Sequence, residues 1–118
     1  MEKAARKLLD MGAPAVLLKG GHLAGDTVSD LLLERGAAPV WMRAPRIASG
    51  NTHGTGCTLS SAIASHLALG ADLTQSVRQS RDFVRSALQS GAPVRTGAGS
   101  GPLNHGYAPL PLQARPLA

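Results

Sequence analysis

The stretch that most restricts the fold is Ala15-Val16-Leu17-Leu18, an unbroken apolar run entered past Gly12 and Pro14 and left through Lys19-Gly20-Gly21. A strand with one wet face alternates apolar and polar side chains. A short continuous run between turn residues reads instead as a strand buried on both faces of a parallel sheet. It follows a helix predicted over 2–11, where Ala5, Leu8 and Leu9 share one face and Gly12 marks the stop. With 118 residues the chain has room for one domain at most. It holds one Phe, one Trp and one Tyr, so its core must be built from Leu, Val, Ile and Ala.

Further along, strands are predicted over 28–33 and 40–43, separated by a turn around Gly36. Pro39 and Pro45 argue against helix on either side of the second. A loop over 47–53 leads into a long helix that starts near Gly54-Thr55-Gly56-Cys57 and ends at Gly70. Leu59, Ile63 and Leu67 recur on it at four-residue spacing, and its alanines and serines predict close packing against a neighbour. Another helix opens at Asp72, which with Gln75 forms a capping-box pattern. Its buried stripe reads as Leu73, Val77, Val84 and Leu88, and Arg78, Arg81 and Arg85 read as a solvated face. The globular part is expected to run over 1–107, with 108–118 as a flexible, proline-bearing tail.

Composition narrows the function mainly by exclusion. Hydrophobic residues make up 43% and charged residues 16%, which fits a globular rather than a disordered chain. The single cysteine, Cys57, rules out an internal disulfide and a four-cysteine zinc site, and a reducing, cytoplasmic setting is the simplest. His22, His53, His66 and His105 lack metal-ligand spacing, so no metal site is expected among them. The first residues mix Glu2, Lys3, Arg6 and Lys7 into their apolar positions, unlike a secretory leader. No apolar run reaches membrane-spanning length. The formal charge of +5 suits an anionic ligand. Scattered arginines and the want of an aromatic stacking surface argue against nucleic acid.

Chemistry concentrates in Asn51-Thr52-His53-Gly54-Thr55-Gly56-Cys57-Thr58. Two glycines among small neighbours let backbone amides turn toward one point as a helix begins. Unpaired N–H groups with the helix dipole behind them attract anionic oxygens. In phosphoryl transfer such donors stabilise the charge on the moving group, each typically by about 3–4 kcal/mol. Cys57 falls in the first turn of that helix, where dipole and nearby positive charge favour a thiolate. It either takes or holds the proton of a substrate hydroxyl, or is a buried, inert cysteine packed as a small hydrophobe. Lys19 leaves the end of the apolar strand, where open α/β sheets bind ligands, and either clamps phosphates or reaches solvent. Neither pair of readings is settled by position. Asp26 and Asp30 show no paired acidic motif and read as solvated or capping residues. No G-x-x-x-x-G-K-[ST] run is present, so the chain has no Walker-type loop.

Four stretches carry a resemblance to a known family. Val16-Leu17-Leu18-Lys19-Gly20-Gly21-His22-Leu23 resembles the V-L-x-K-G-G-H-L segment of hydroxymethylpyrimidine/phosphomethylpyrimidine kinases, and Ala44-Pro45-Arg46-Ile47 matches a short A-P-R-I stretch. Thr52 to Ser60 resembles the T-H-G-T-G-C-T-L-S signature, and Gly99-Ser100-Gly101-Pro102-Leu103-Asn104-His105 the closing G-x-G-P-x-x-H. The resemblance implies α/β architecture: the C-terminal portion of a ribokinase-like three-layer sandwich, with its sheet incomplete. It implies ATP-dependent phosphorylation of hydroxymethylpyrimidine and then of its monophosphate, in thiamine diphosphate biosynthesis. Gly54, Thr55, Gly56 and Cys57 would form the anion hole, with Cys57 beside the substrate hydroxymethyl group. Lys19, with Gly20 and Gly21, would contact ATP phosphates.

The chain is less than half the family's usual length. Most of the pyrimidine pocket, early strands and acidic residues near magnesium and ATP are expected on an N-terminal half outside it. Self-association, or pairing with that half, is therefore expected. Two other readings follow: a non-catalytic remnant with weak phosphate binding, and a relative of pyridoxal kinases, which share the cysteine-bearing anion hole.

Overall fold

The computed structural model describes residues 1–111. Six elements follow one another: α1 (Glu2–Asp10), β1 (Ala15–Leu18), β2 (Thr27–Glu34), β3 (Val40–Pro45), α2 (Thr55–Ala68) and α3 (Leu73–Gly91). They fall into two compact units, the first over Met1–Arg46 and the second from Ile47 onward. The tail expected over 108–118 lies, from residue 112, outside the described residues.

In the first unit the three strands form one sheet in the order β1-β2-β3. Both pairings are antiparallel, with Val16 opposite Leu33, Leu18 opposite Leu31 and Leu31 opposite Trp41. The parallel neighbour expected for β1 is not one of these three strands. The connection over 19–26 is shorter than the crossover of about a dozen residues that parallel neighbours require, so the chain turns straight back. Two-faced burial also falls elsewhere than expected. All four β1 residues are half-buried, because β1 is an edge strand, whereas Leu31, Leu32 and Leu33 of central β2 are buried.

Alternation along β2 sends Leu31 and Leu33 to the face covered by α1. There they meet Ala5 and Leu9, with Val16, Leu18 and Trp41 packed around them. Fully burying one such leucine is worth about 1.5–3 kcal/mol. Leu8, expected on the same helix face, is instead 41% exposed. Ala5 and Leu9 are spaced by one turn, which aligns that pair with the sheet. Gly12, at φ 113°, ends the helix, and the Arg35 side chain donates to the Leu9 and Ala13 carbonyls.

The second unit is built on α2 packed against α3. Asp72 caps α3 by accepting the Gln75 amide at 2.8 Å, and Gly70, at φ 93°, ends the turn before it. Val77 and Val84 are buried as expected, but Leu73 and Leu88 are only half-buried. Ser76, Ser80, Ala87 and Gly91 hold the most enclosed positions beside them, since small side chains permit close packing. The α2 stripe fades along the helix: Leu59 is buried, Ile63 half-buried and Leu67 43% exposed. On the arginine face Arg78 is exposed, while Arg81 and Arg85 are half-buried. No described helix is long and apolar enough to cross a membrane.

Candidate phosphate-binding site

The residues singled out from the sequence divide between the units. Gly54, Thr55, Gly56 and Cys57 open α2 in the second, and Lys19, Gly20 and Gly21 follow β1 in the first.

Gly54 is the α2 N-cap, in the left-handed region at φ 83°. A glycine reaches that conformation without strain, and having no side chain it leaves the helix start uncapped. The Thr55 amide and hydroxyl both donate to the Thr52 carbonyl, at 3.3 and 2.5 Å, and the Thr58 amide donates to Gly54. Among the described residues the amides of Gly56 and Cys57 meet no protein acceptor. Both residues are exposed. Two open N–H groups thus stand at the positive end of a 14-residue helix, the arrangement that attracts anionic oxygens. Cys57 is exposed in that first turn rather than packed among apolar side chains.

A second strand of chain holds this loop. His53 pairs in a parallel bridge with Pro102, and its amide donates to the Gly101 carbonyl at 3.1 Å. The Ser100 hydroxyl donates to the Gly50 carbonyl at 2.9 Å. Asn51, buried, donates to the Gly91 and Val94 carbonyls at 2.7 and 2.6 Å, fastening the loop to the end of α3. A Cβ at Gly101 would stand 2.2 Å from Asn51 Oδ1, so a larger residue there displaces the side chain that grips Gly91 and Val94. The closing G-x-G-P-x-x-H stretch is therefore a buttress for the helix start. Beside Cys57 opens a groove of about 540 Å³ lined by Thr58, Ala62, His66, Phe83 and His105. His105 Nε2 lies 2.8 Å from Thr58 Oγ1, and the Phe83 and Tyr107 rings stand 5.6 Å apart.

In the first unit Lys19 is exposed directly after β1. Gly20 is buried, and its amide donates to Asp30 Oδ1 at 2.9 Å. That amide is committed within the protein. Gly20 is glycine because a Cβ would lie 2.1 Å from the Ser29 carbonyl oxygen. Gly21 is exposed with open space around it. Asp30, expected to be solvated or capping, is buried and anchors the loop instead. Arg46, quoted only as part of a motif, donates through all three guanidinium nitrogens to carbonyls of the same loop. Among the described residues no three His, Cys, Asp or Glu side chains converge as a metal site would require.

The family model described as phosphomethylpyrimidine kinase matches residues 1–104. The chain belongs to that family. It is 45% identical over 108 residues to a hydroxymethylpyrimidine/phosphomethylpyrimidine kinase of Streptomyces coelicolor, covering 92% of this chain and 39% of that protein. A thiamine biosynthesis bifunctional protein, ThiED, of Geobacter sulfurreducens is 49% identical over 106 residues, covering 89% of this chain and 21% of that one. Among solved structures, the pyridoxal kinase of Staphylococcus aureus in complex with AMP-PCP matches with a TM-score of 0.83 at 32% identity. That match covers 90% of this chain and 38% of the kinase. The fold is thus the α/β fold of ribokinase-like kinases, of which this family member spans about two-fifths, its three strands forming an incomplete sheet.

Proposed function

We propose that this chain supplies the phosphate-handling part of a hydroxymethylpyrimidine/phosphomethylpyrimidine kinase, acting with the rest of the family's fold in the same polypeptide or another. The observation that carries the reading is the uncapped start of α2, where the Gly56 and Cys57 amides are open beside an exposed thiol in a chain of this family.

In this reading the hydroxymethyl oxygen of the substrate attacks the γ-phosphorus of ATP. The bond from that phosphorus to the β,γ-bridging oxygen breaks, and ADP leaves. The open amides and the α2 dipole stabilise negative charge on the phosphoryl oxygens as they flatten toward the transition state. Cys57 receives the hydroxyl proton or holds the hydroxyl in line. Lys19 and the Gly21 amide contact the remaining phosphates, and the groove beside Cys57 takes an aromatic ring of one of the two substrates. Magnesium accompanies the nucleotide; among the described residues no three His, Cys, Asp or Glu side chains gather to hold an ion. Pyridoxal is the competing substrate, favoured by the likeness to the Staphylococcus aureus enzyme, while the sequence relatives favour the pyrimidine.

Titration of MgATP by calorimetry tests the reading. Wild type is expected to bind, and Gly56→Asp and Lys19→Ala are each expected to lose binding, the first by placing a carboxylate among the open amides. A folded wild type that binds no MgATP would make the chain a non-catalytic remnant. With binding in hand, adding the rest of the family's fold and supplying hydroxymethylpyrimidine or pyridoxal decides the acceptor.

A further inference from the structure

We infer that Arg46 is a positioning residue for the loop that presents Lys19, holding it in a phosphate-ready shape by drawing in carbonyl groups that would otherwise oppose an anion. The inference rests on the reading of Lys19 as a phosphate contact.

The loop over 19–26 joins β1 to β2 and is pinned at its start by the Gly20 amide on Asp30. Its body is shaped by one side chain. Arg46 Nε donates to the Gly25 carbonyl at 2.7 Å, Nη1 to the Gly21 carbonyl at 2.7 Å, and Nη2 to the Leu23 carbonyl. The Arg46 amide adds a bond to the Asp26 carbonyl at 2.7 Å. Three carbonyls from alternate residues face one guanidinium, each toward a different nitrogen. Without a cation there, their partial negative charges repel one another, and this curl of the loop loses its reason to exist. A guanidinium meets each oxygen with a different nitrogen from a planar, always-charged fork. An ammonium offers all its donors from one atom and matches three spread acceptors poorly.

Two effects follow for an anion arriving at Lys19. Carbonyls are the part of a loop that repels phosphate, and at Gly21, Leu23 and Gly25 their negative ends are tied to a positive charge. The loop is also held before the ligand comes, so less ordering entropy is lost on binding. Arg46 is itself exposed, so neither effect is one of core packing.

The test uses Arg46→Ala and Arg46→Lys in the full chain, beside Lys19→Ala. Without nucleotide, amide hydrogen exchange over 21–26 is expected to quicken by about ten-fold or more in Arg46→Ala, with protection in β2 retained. MgATP affinity is expected to fall by about ten-fold, the worth of one charge-assisted hydrogen bond. Methylguanidinium at millimolar concentration should restore much of that affinity to Arg46→Ala, whereas methylammonium should not, and Arg46→Lys should resemble Arg46→Ala. Unchanged MgATP affinity in Arg46→Ala, beside lost affinity in Lys19→Ala, would overturn the inference and leave the kinase reading standing. Equal rescue by both cations would overturn it too, by reducing Arg46 to a point charge. A folded wild type that binds no MgATP would overturn both.

Discussion

The adjacent glycines after β1 should respond in opposite ways to the same substitution. At Gly20 an added methyl would stand 2.1 Å from the Ser29 carbonyl oxygen, about 0.9 Å inside the 3.0 Å that real Cβ contacts respect. The obstacle is backbone in the middle of the central strand, paired to Arg43 on its other side, so it cannot swing away. The loop must retreat instead. A retreat of that size stretches the 2.9 Å bond from the Gly20 amide to Asp30 beyond hydrogen-bonding range and leaves a buried carboxylate short of a donor. Loss of a hydrogen bond to a charged group costs about 1.5–3 kcal/mol, and the forced displacement about 1–3 more. Gly20→Ala should therefore cost about 3–5 kcal/mol, a large share of the stability of any small domain. At Gly21 the same methyl meets nothing within 4 Å, and the backbone is not left-handed, so Gly21→Ala should be neutral or stabilising by up to about 1 kcal/mol. Trp41 is the single tryptophan and packs on the core of this unit, so its fluorescence in urea follows this unit's unfolding alone. Equal midpoints for the two variants would refute the steric argument.

Elsewhere the same reasoning gives shorter tests. Asn51→Ala removes two hydrogen bonds that fasten the loop before α2, and should lower stability by about 2–3 kcal/mol in thermal unfolding followed by circular dichroism. Among the described residues the buried Ser76 and Ser80 hydroxyls have no partner, so the double variant Ser76→Ala, Ser80→Ala should gain about 1–2 kcal/mol, read as a higher urea midpoint. Cys57 should react with a chromogenic disulfide reagent nearly as fast in the native chain as in the unfolded one, and MgATP should slow it; native protection of about a hundred-fold would contradict its exposure.

Much of the fold was legible because its punctuation is local. Gly12 and Gly70 close helices through left-handed backbone, and Asp72 opens one by accepting an amide three residues on. Each of those roles is decided within a few positions of the residue that performs it. Strand pairing was not legible in the same way. Ala15–Leu18 announces a strand, but an apolar run says nothing of the direction of its neighbour, and only the shortness of the following loop told against a parallel one. Burial of Ser76 and Ser80 was hidden because their letters are polar, although their smallness is what admits them between helices.

At the candidate site the glycines and Cys57 stood out from spacing and resemblance, while their supports did not. Asn51 reaches carbonyls about forty residues away, and Arg46 reaches back more than twenty to carbonyls that any residue type would carry. Partners of that kind leave no mark on composition or periodicity. Exposure of Cys57 was equally out of reach, since a helix start in the chain carries no label of what lies in front of it.

The pairing of His53 with Pro102, and of Gly50 with Ser100, also bears on the order in which the protein takes shape. The segment ahead of α2 is made early and its support late, with the whole α2–α3 hairpin between them. Local helical contacts form in microseconds, whereas closing a span of about fifty residues waits until the intervening helices bring its ends together. On the ribosome the turn at Gly54 would emerge unsupported, and acquire its final form only once Gly101 to Asn104 had been delivered to the end of α3. The anion-holding shape proposed for this turn is then acquired after the α2–α3 hairpin rather than before it.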